Sequence, residues 1–107
     1  MKDEFKLIKE IILKTAKKYN IEIDKIILFG SRARGDYKEE SDWDILIVTK
    51  EKLDEKMLEL FWEDLDWNLA KYIVPEIIVV DKESFEKYKN LTGFVYHWAE
   101  KEGVLIT

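Results

Sequence analysis

The sequence predicts an α+β fold, a small mixed β-sheet with helices packed mainly on one face. Short apolar runs alternate along the chain with longer segments of helical period, so strands and helices interleave. The connection between the first two apolar runs is short and carries little regular structure, which permits antiparallel pairing of those strands. The 107 residues, 47% hydrophobic and 38% charged, indicate one globular domain over residues 1–107.

The first half of the chain predicts one long helix and two strands. Apolar residues recur at helical spacing before Asn20, which is a suitable stop signal. Two apolar runs follow and flank a polar segment. The predicted elements are a helix over 3–19, a strand over 25–29, a Gly-Ser turn with a short helical or irregular segment to Gly35, a loop over 36–41 and a strand over 43–48.

The second half predicts three helices and the remaining strands. Met57, Phe61, Leu65 and Leu69 repeat at i+4 spacing in a long helical segment. Pro75 breaks that pattern, and proline is acceptable at the first position of a strand. The predicted elements are a helix over 52–72, a strand over 76–80, a short helix capped by Asp81 and ending at Tyr88, a helix over 91–101 closed by a C′ glycine at Gly103, and a small strand or docked tail over 104–106.

Composition excludes several classes of function. The chain has no cysteine, which removes disulfides, thiolate catalysis and cysteine-ligated zinc. Its one histidine, His97, argues against a histidine zinc site or a Ser-His-Asp triad and is expected to be a packing or surface residue. A net charge of −5 argues against general binding of DNA or RNA. The chain lacks an apolar stretch long enough for a membrane span and a signal-peptide pattern, so we expect a cytoplasmic protein without membrane contact.

The residues between the first two predicted strands carry the most informative pattern. Gly30 and Ser31 follow the first strand directly, and a turn of this kind can hold phosphate oxygens on its backbone N–H groups. Asp42 and Asp44 open the second strand two positions apart, so their side chains point to the same face. Oxygen ligands beside a phosphate cradle are what Mg²⁺ carrying a nucleoside triphosphate requires.

The composite spacing, G-S-x10-D-x-D with R-x-R-G inside it, resembles the signature of the polymerase-β-type nucleotidyltransferases. Within that superfamily it is similar to the minimal nucleotidyltransferase (MNT) domains, and in particular to the MNT antitoxins of HEPN/MNT toxin–antitoxin pairs. The resemblance covers most of the chain, and its specific part runs from residue 26 to residue 48. It implies a nucleotidyltransferase core like the polymerase-β palm, ATP as substrate, and Mg²⁺, as two ions, for cofactor.

The resemblance also implies a role for each residue of the site. Asp42 and Asp44 would be catalytic and hold Mg²⁺. Glu76, at the start of the third strand, would be the third catalytic carboxylate, as general base or as a ligand of the second ion, although this family commonly has aspartate there. The predicted contacts with nucleotide phosphates are Gly30, Ser31, Arg32 and Arg34. Instead of contacting a phosphate, Arg34 could pair with a neighbouring acid such as Asp36.

The implied activity is Mg²⁺-dependent transfer of AMP from ATP to a hydroxyl group, with release of pyrophosphate. The resemblance implies a HEPN-type helical protein as partner and AMP acceptor, and an antitoxin role for this chain. Two alternatives stay open: a non-catalytic module that masks its partner, and transfer to a small molecule. Self-association also stays open. Trp62, Trp67 and Trp98 are expected in the core or at its edge, and any that are exposed would mark a partner surface.

Overall fold

A computed structural model describes residues 2–107 of the chain, with side chains from Asp3 onward. Strands and helices alternate through these residues, as the sequence predicts. The elements are α1 (Lys2–Lys18), β1 (Ile23–Phe29), α2 (Gly30–Arg34), β2 (Trp43–Thr49), α3 (Glu55–Leu69), β3 (Pro75–Asp81), α4 (Lys82–Tyr88), α5 (Val95–Glu102) and β4 (Val104–Leu105). Within the described range, no helix is both long enough and apolar enough to cross a membrane.

The strands form one mixed sheet in the order β3-β2-β1-β4. β1 is antiparallel to both of its neighbours, β2 and β4, while β3 lies parallel to β2. The antiparallel pairing predicted for the first two strands is therefore confirmed, as is the α+β class with a mixed sheet. The end of the chain forms a strand, because Val104 and Leu105 pair with β1.

Helices cover both faces of the sheet, the longer pair on one face and the shorter pair on the other. Alternation along β1 shows the division, because Ile26 and Leu28 pack with α1 and α3 while Ile27 packs with α4 and α5. The two long helices share one face, in line with the predicted packing, whereas α4 and α5 lie on the other face. The larger cluster includes Ile8, Ile12, Ile26, Leu28, Ile45, Ile47, Phe61, Leu65 and Leu69; the smaller contains Ile27, Leu46, Val48, Val80, Phe85 and Ala99.

Aspartate side chains cap the starts of α3 and α4, and two helices begin later than predicted. α3 begins later than predicted because Asp54 accepts a hydrogen bond from the backbone N–H of Met57 (2.8 Å). α5 also begins later than predicted. Asp81 caps α4 as predicted, since it accepts a hydrogen bond from the backbone N–H of Ser84 (2.9 Å).

Gly103 ends α5, but it does not adopt the left-handed conformation that a C′ glycine implies. Its φ is −79°, a value that any residue adopts. A Cβ at this position would collide with the carbonyl oxygen of Ala99 and with Cγ2 of Ile27, and would lie 2.9 Å from the carbonyl oxygen of Leu28. The close approach of α5 to β1 therefore requires glycine here.

The four tryptophans differ in exposure: 4% for Trp43, 40% for Trp62, 43% for Trp98 and 71% for Trp67. The indole N–H of Trp62 donates to the carbonyl oxygen of Ile77 in β3 (3.0 Å). The Trp98 indole likewise donates to a backbone carbonyl (3.1 Å). Trp62 and Trp98 are thus exposed residues held by one hydrogen bond each, and Trp67 is the most exposed of the three, so the expected place in the core is not observed. His97 packs edge-on against Trp98, as expected of a packing residue.

Candidate active site

The predicted site residues lie where one strand ends and two others begin. Asp44 is central to this arrangement, because it pairs with Phe29 of β1 on one side and with Glu76 of β3 on the other. Gly30 follows Phe29 directly and lies beside Asp44. The sheet register therefore brings Gly30, Asp44 and Glu76 together, although they are far apart in sequence.

Gly30 joins β1 to α2 in a conformation that glycine adopts much more readily than other residues. Its φ is 72°, in the left-handed region. A Cβ built at this position would overlap Oδ2 of Asp44. The Asp44 carboxylate thus fills the space that a side chain at position 30 would need. The sequence predicted a close approach of this backbone to a phosphate, and the structure adds a close approach to a carboxylate.

Ser31 lies in the first turn of α2, whose N-cap position is taken by Phe29. Phenylalanine offers no side-chain acceptor, so it does not cap the N–H groups of that turn. α2 ends at Gly35, which has a φ of 89° and donates its backbone N–H to the carbonyl oxygen of Ser31 (2.9 Å). The predicted short helical segment is confirmed, and its first turn offers donors of the kind that bind phosphate.

Carboxylates dominate the electrostatics of this end of the sheet. Burial, followed by the negative charges of Glu76 and Asp42, raises the pKa of Asp44 to about 6. Glu76 lies within hydrogen-bonding range of Asp44, and the positive charge of Arg34 opposes the rise. Asp44 is half-buried, whereas Asp42 and Glu76 are exposed. The fold therefore holds together acids that repel one another when they are ionised.

A bound cation would relieve this repulsion. The donors are carboxylate oxygens, the ligand type that Mg²⁺ prefers, so the residues fit that ion in their chemistry. Across residues 2–107, however, no three acidic or histidine side chains are already gathered closely enough to hold a metal ion. The three carboxylates would have to draw closer together to complete a site.

Arg32 is engaged with the loop that follows α2. Its guanidinium donates to the carbonyl oxygen of Glu39 (2.9 Å) and twice to that of Ser41 (3.2 and 3.3 Å). The same group lies 4.3 Å from the ring centre of Tyr37 and 4.8 Å from that of Trp43. These contacts were not predicted, although the two aromatic residues that flank the polar loop were a signal for them. A phosphate contact for Arg32 stays a prediction, since these partners engage Nε and Nη2 of its guanidinium.

Arg34 realises the alternative pairing with an acid. Its Nε lies 3.4 Å from Oδ1 of Asp36, and both side chains are largely exposed. The positive charge of Arg34 also offsets part of the rise in the pKa of Asp44. An exposed ion pair of this kind is weak, so Arg34 can exchange Asp36 for a stronger anion at little cost. Of the two arginines, Arg34 is better placed to meet a phosphate.

Comparison with known proteins gives matches over most of this chain. The family model described as "Polymerase beta, Nucleotidyltransferase" matches residues 9–106. The protein named "Putative protein adenylyltransferase MJ0604" from Methanocaldococcus jannaschii is 46% identical to this chain over 89 residues, which cover 82% of this chain and 84% of that relative.

Two solved structures share the fold. One is the crystal structure of a toxin–antitoxin with AMP-PNP, which has a TM-score of 0.59 at 20% identity and covers 92% of this chain and 71% of its own. The other is a tri-AMPylated Shewanella oneidensis HEPN toxin in complex with an MNT antitoxin, with a TM-score of 0.58 at 18% identity, covering 96% and 71%. The chain belongs to the polymerase-β nucleotidyltransferase family.

Proposed function

We propose that this chain transfers AMP from ATP to a hydroxyl group on a partner protein and requires Mg²⁺ for the reaction. The observation that carries the proposal is the junction of Gly30, Asp44 and Glu76, where a turn suited to phosphate lies against a cluster of carboxylates. The relative from Methanocaldococcus jannaschii, named as a protein adenylyltransferase, supports a protein as the acceptor.

The reaction is a substitution at the α-phosphorus of ATP. The acceptor oxygen forms a bond to this phosphorus, and the bond from the phosphorus to the bridging oxygen of pyrophosphate breaks. Pyrophosphate leaves with that bonding pair, while the hydroxyl proton passes to a carboxylate. Glu76 is the candidate base, because it is exposed at the end of the sheet and lies next to Asp44. Glu76 has a second possible role, as a ligand of a second ion.

Asp42 and Asp44 are the residues that would hold Mg²⁺. When bound, this ion would neutralise charge on the phosphates and on the leaving pyrophosphate. The first-turn N–H groups of α2 and the Ser31 hydroxyl would orient the phosphate oxygens. Arg34 would pair with the outer phosphates after leaving Asp36. The chain's own groups thus position ATP and receive the proton.

The biological role that we infer is that of an antitoxin which silences a HEPN-type partner by attaching AMP to it. The AMPylated HEPN toxin bound to an MNT antitoxin supports this partner class, and the toxin–antitoxin structure with AMP-PNP supports ATP as the nucleotide. Both share the fold of this chain. We place the reaction in the cytoplasm, where ATP and Mg²⁺ are available.

The test compares two labels of ATP in the presence of Mg²⁺ and a purified HEPN-type protein. Transfer of AMP labels the partner from α-³²P-ATP but not from γ-³²P-ATP, since the γ-phosphate leaves with pyrophosphate. Asp42→Asn together with Asp44→Asn should abolish labelling. Glu59→Gln, an exposed carboxylate change on α3, is the matched control and should label normally.

Other outcomes point to the alternatives. Tight binding between the two proteins with no label on either would favour a masking module without chemistry. Label on a small acceptor, with none on the partner, would favour transfer to a small molecule. Label from γ-³²P-ATP would contradict nucleotidyl transfer altogether.

A further inference from the structure

Arg32 links the Gly30-Ser31 turn to the loop that carries Asp42. It lies one residue after Ser31, within α2, and its guanidinium reaches across to residues 37–43. The contacts are three hydrogen bonds to backbone carbonyl oxygens and two stacked aromatic rings: Glu39 O at 2.9 Å, Ser41 O at 3.2 and 3.3 Å, and the rings of Tyr37 and Trp43 at 4.3 and 4.8 Å.

These contacts enclose Asp42 from both sides along the chain. The carbonyl group of Ser41 belongs to the peptide bond that joins Ser41 to Asp42, and two of the three hydrogen bonds from Arg32 end on its oxygen. Trp43, the residue after Asp42, lies against the same guanidinium and is buried. The backbone on each side of Asp42 is therefore fixed relative to α2, although the Asp42 carboxylate itself is exposed.

We propose that Arg32 is a positioning residue for the metal site, which holds the Asp42 backbone so that its carboxylate can join Asp44. The proposal rests on the proposed function, since it assigns Asp42 to the metal. Fixing a loop before the ion arrives lowers the entropy cost of binding it. Arginine suits this work because its planar guanidinium stacks on rings while donating several hydrogen bonds in its own plane, which lysine does not do.

A direct role on phosphate makes the opposite prediction for metal binding in the absence of nucleotide. If Arg32 only met phosphates, its removal would leave the affinity for a lone cation unchanged, or would raise it by deleting a nearby positive charge. If Arg32 positions Asp42, its removal weakens that affinity. The sign of the change separates the two roles before any ATP is added.

The experiment measures Mn²⁺ affinity by electron paramagnetic resonance, with Mn²⁺ as the paramagnetic substitute for Mg²⁺ and no ATP present. We expect Arg32→Ala to raise the Kd for Mn²⁺ about tenfold, the size that charge-assisted hydrogen bonds carry. Tyr37→Ala removes one stacked ring at an exposed position and should raise the Kd by a smaller factor. The double variant should equal Arg32→Ala, because both changes remove the same contact.

A second readout does not depend on metal or activity. The backbone N–H of Ser41 donates to the carbonyl oxygen of Lys38 (3.0 Å), and that of Lys38 donates to Oγ of Ser41 (2.9 Å). Hydrogen exchange of these two amides, followed by NMR, should accelerate in Arg32→Ala and in Tyr37→Ala. Lys87→Ala is the matched control, because it removes an exposed cation 5.3 Å from the Tyr88 ring on α4.

The outcomes separate this proposal from the proposed function. Faster amide exchange with weaker Mn²⁺ binding supports the positioning role even when the wild-type protein labels no acceptor. An unchanged or lower Kd for Mn²⁺ in Arg32→Ala overturns it, as does unchanged exchange at Lys38 and Ser41. If Arg32→Ala fails to fold, Tyr37→Ala alone decides between these results.

Discussion

The carboxylate of Asp44 occupies the space that a Cβ would need at Gly30. The turn and the carboxylate therefore approach closely enough that a side chain at position 30 would displace the carboxylate. We expect Gly30→Ala to push the Asp44 side chain aside and to strain the backbone at a φ of 72°. Displacing a catalytic group by about 1 Å can cost about a hundredfold in rate, so AMP transfer should fall on that scale.

Gly93→Ala is the control for this change, because a Cβ at Gly93 has nothing within 4 Å. Both variants are assayed by transfer of label from α-³²P-ATP after their folding is checked by circular dichroism. A folded Gly30→Ala protein with a wild-type rate would show that the approach of Gly30 to Asp44 has no part in the reaction.

Asp44→Asn should stabilise the metal-free protein while it abolishes transfer. The pKa of Asp44 is raised to about 6 by burial and by its acidic neighbours, so the fold favours the neutral carboxyl. The stability contributed by that neutral form is complete at low pH and is lost as pH rises through about 6. Above that pH, the wild-type fold is destabilised in full by an ionised carboxylate that is partly buried beside other acids. Asparagine cannot ionise and avoids this loss of stability.

Thermal unfolding measured at several pH values checks this prediction. The Tm of Asp44→Asn should exceed that of wild type above pH 6, and the difference should shrink as the pH is lowered toward 4. Saturating Mg²⁺ should raise the Tm of wild type and leave that of the variant almost unchanged. A Tm difference that does not depend on pH would contradict the electrostatic origin.

Gly103→Ala should destabilise the fold without strain in its own backbone, because the φ of Gly103 is −79°. The added methyl group would meet the carbonyl oxygen of Ala99 and the side chain of Ile27, where α5 crosses β1. Overpacking of this kind costs about 1–3 kcal/mol. Urea unfolding measures the change, again beside Gly93→Ala, and equal midpoints for the two variants would contradict the close packing of α5.

Trp67→Ala should weaken binding of the partner protein and leave the Tm unchanged. Trp67 is 71% exposed, so its removal opens no cavity, whereas an exposed indole is a common anchor of protein interfaces. We expect the Kd for the HEPN-type partner to rise about fivefold or more, measured by calorimetry. Leu105→Ala, at an equally apolar exposed site on β4, is the control. Equal affinities for wild type and Trp67→Ala would place the interface elsewhere.

The elements that sequence predicted well are those with a local cause. The position of Pro75 predicts where β3 begins, and β3 does begin at that residue. The observed register pairs Asp44 with Glu76, the residue that the resemblance implies as the third carboxylate. These features depend on residues close together in the chain or on strand alternation.

The features that sequence missed depend on tertiary contacts. The partners of Arg32 depend on the path of the 36–42 loop, which no period in the sequence encodes. Gly103 was predicted to be glycine for its backbone conformation at a helix end. The structure requires glycine there because a side chain would collide with Ile27 of β1, which lies far away in sequence. The exposure of Trp67, by contrast, could have been predicted, because a residue two positions from both Leu65 and Leu69 lies on the opposite side of the helix from the buried face.

The hydrogen bond from Trp62 to the carbonyl oxygen of Ile77 has a consequence for solubility. β3 is an outermost strand of the sheet, and a free carbonyl there could accept a strand from another molecule. The indole engages one such oxygen, and the opposite border, β4, is only two residues long within the described chain. Both features reduce the number of backbone groups with which a strand of another molecule could pair.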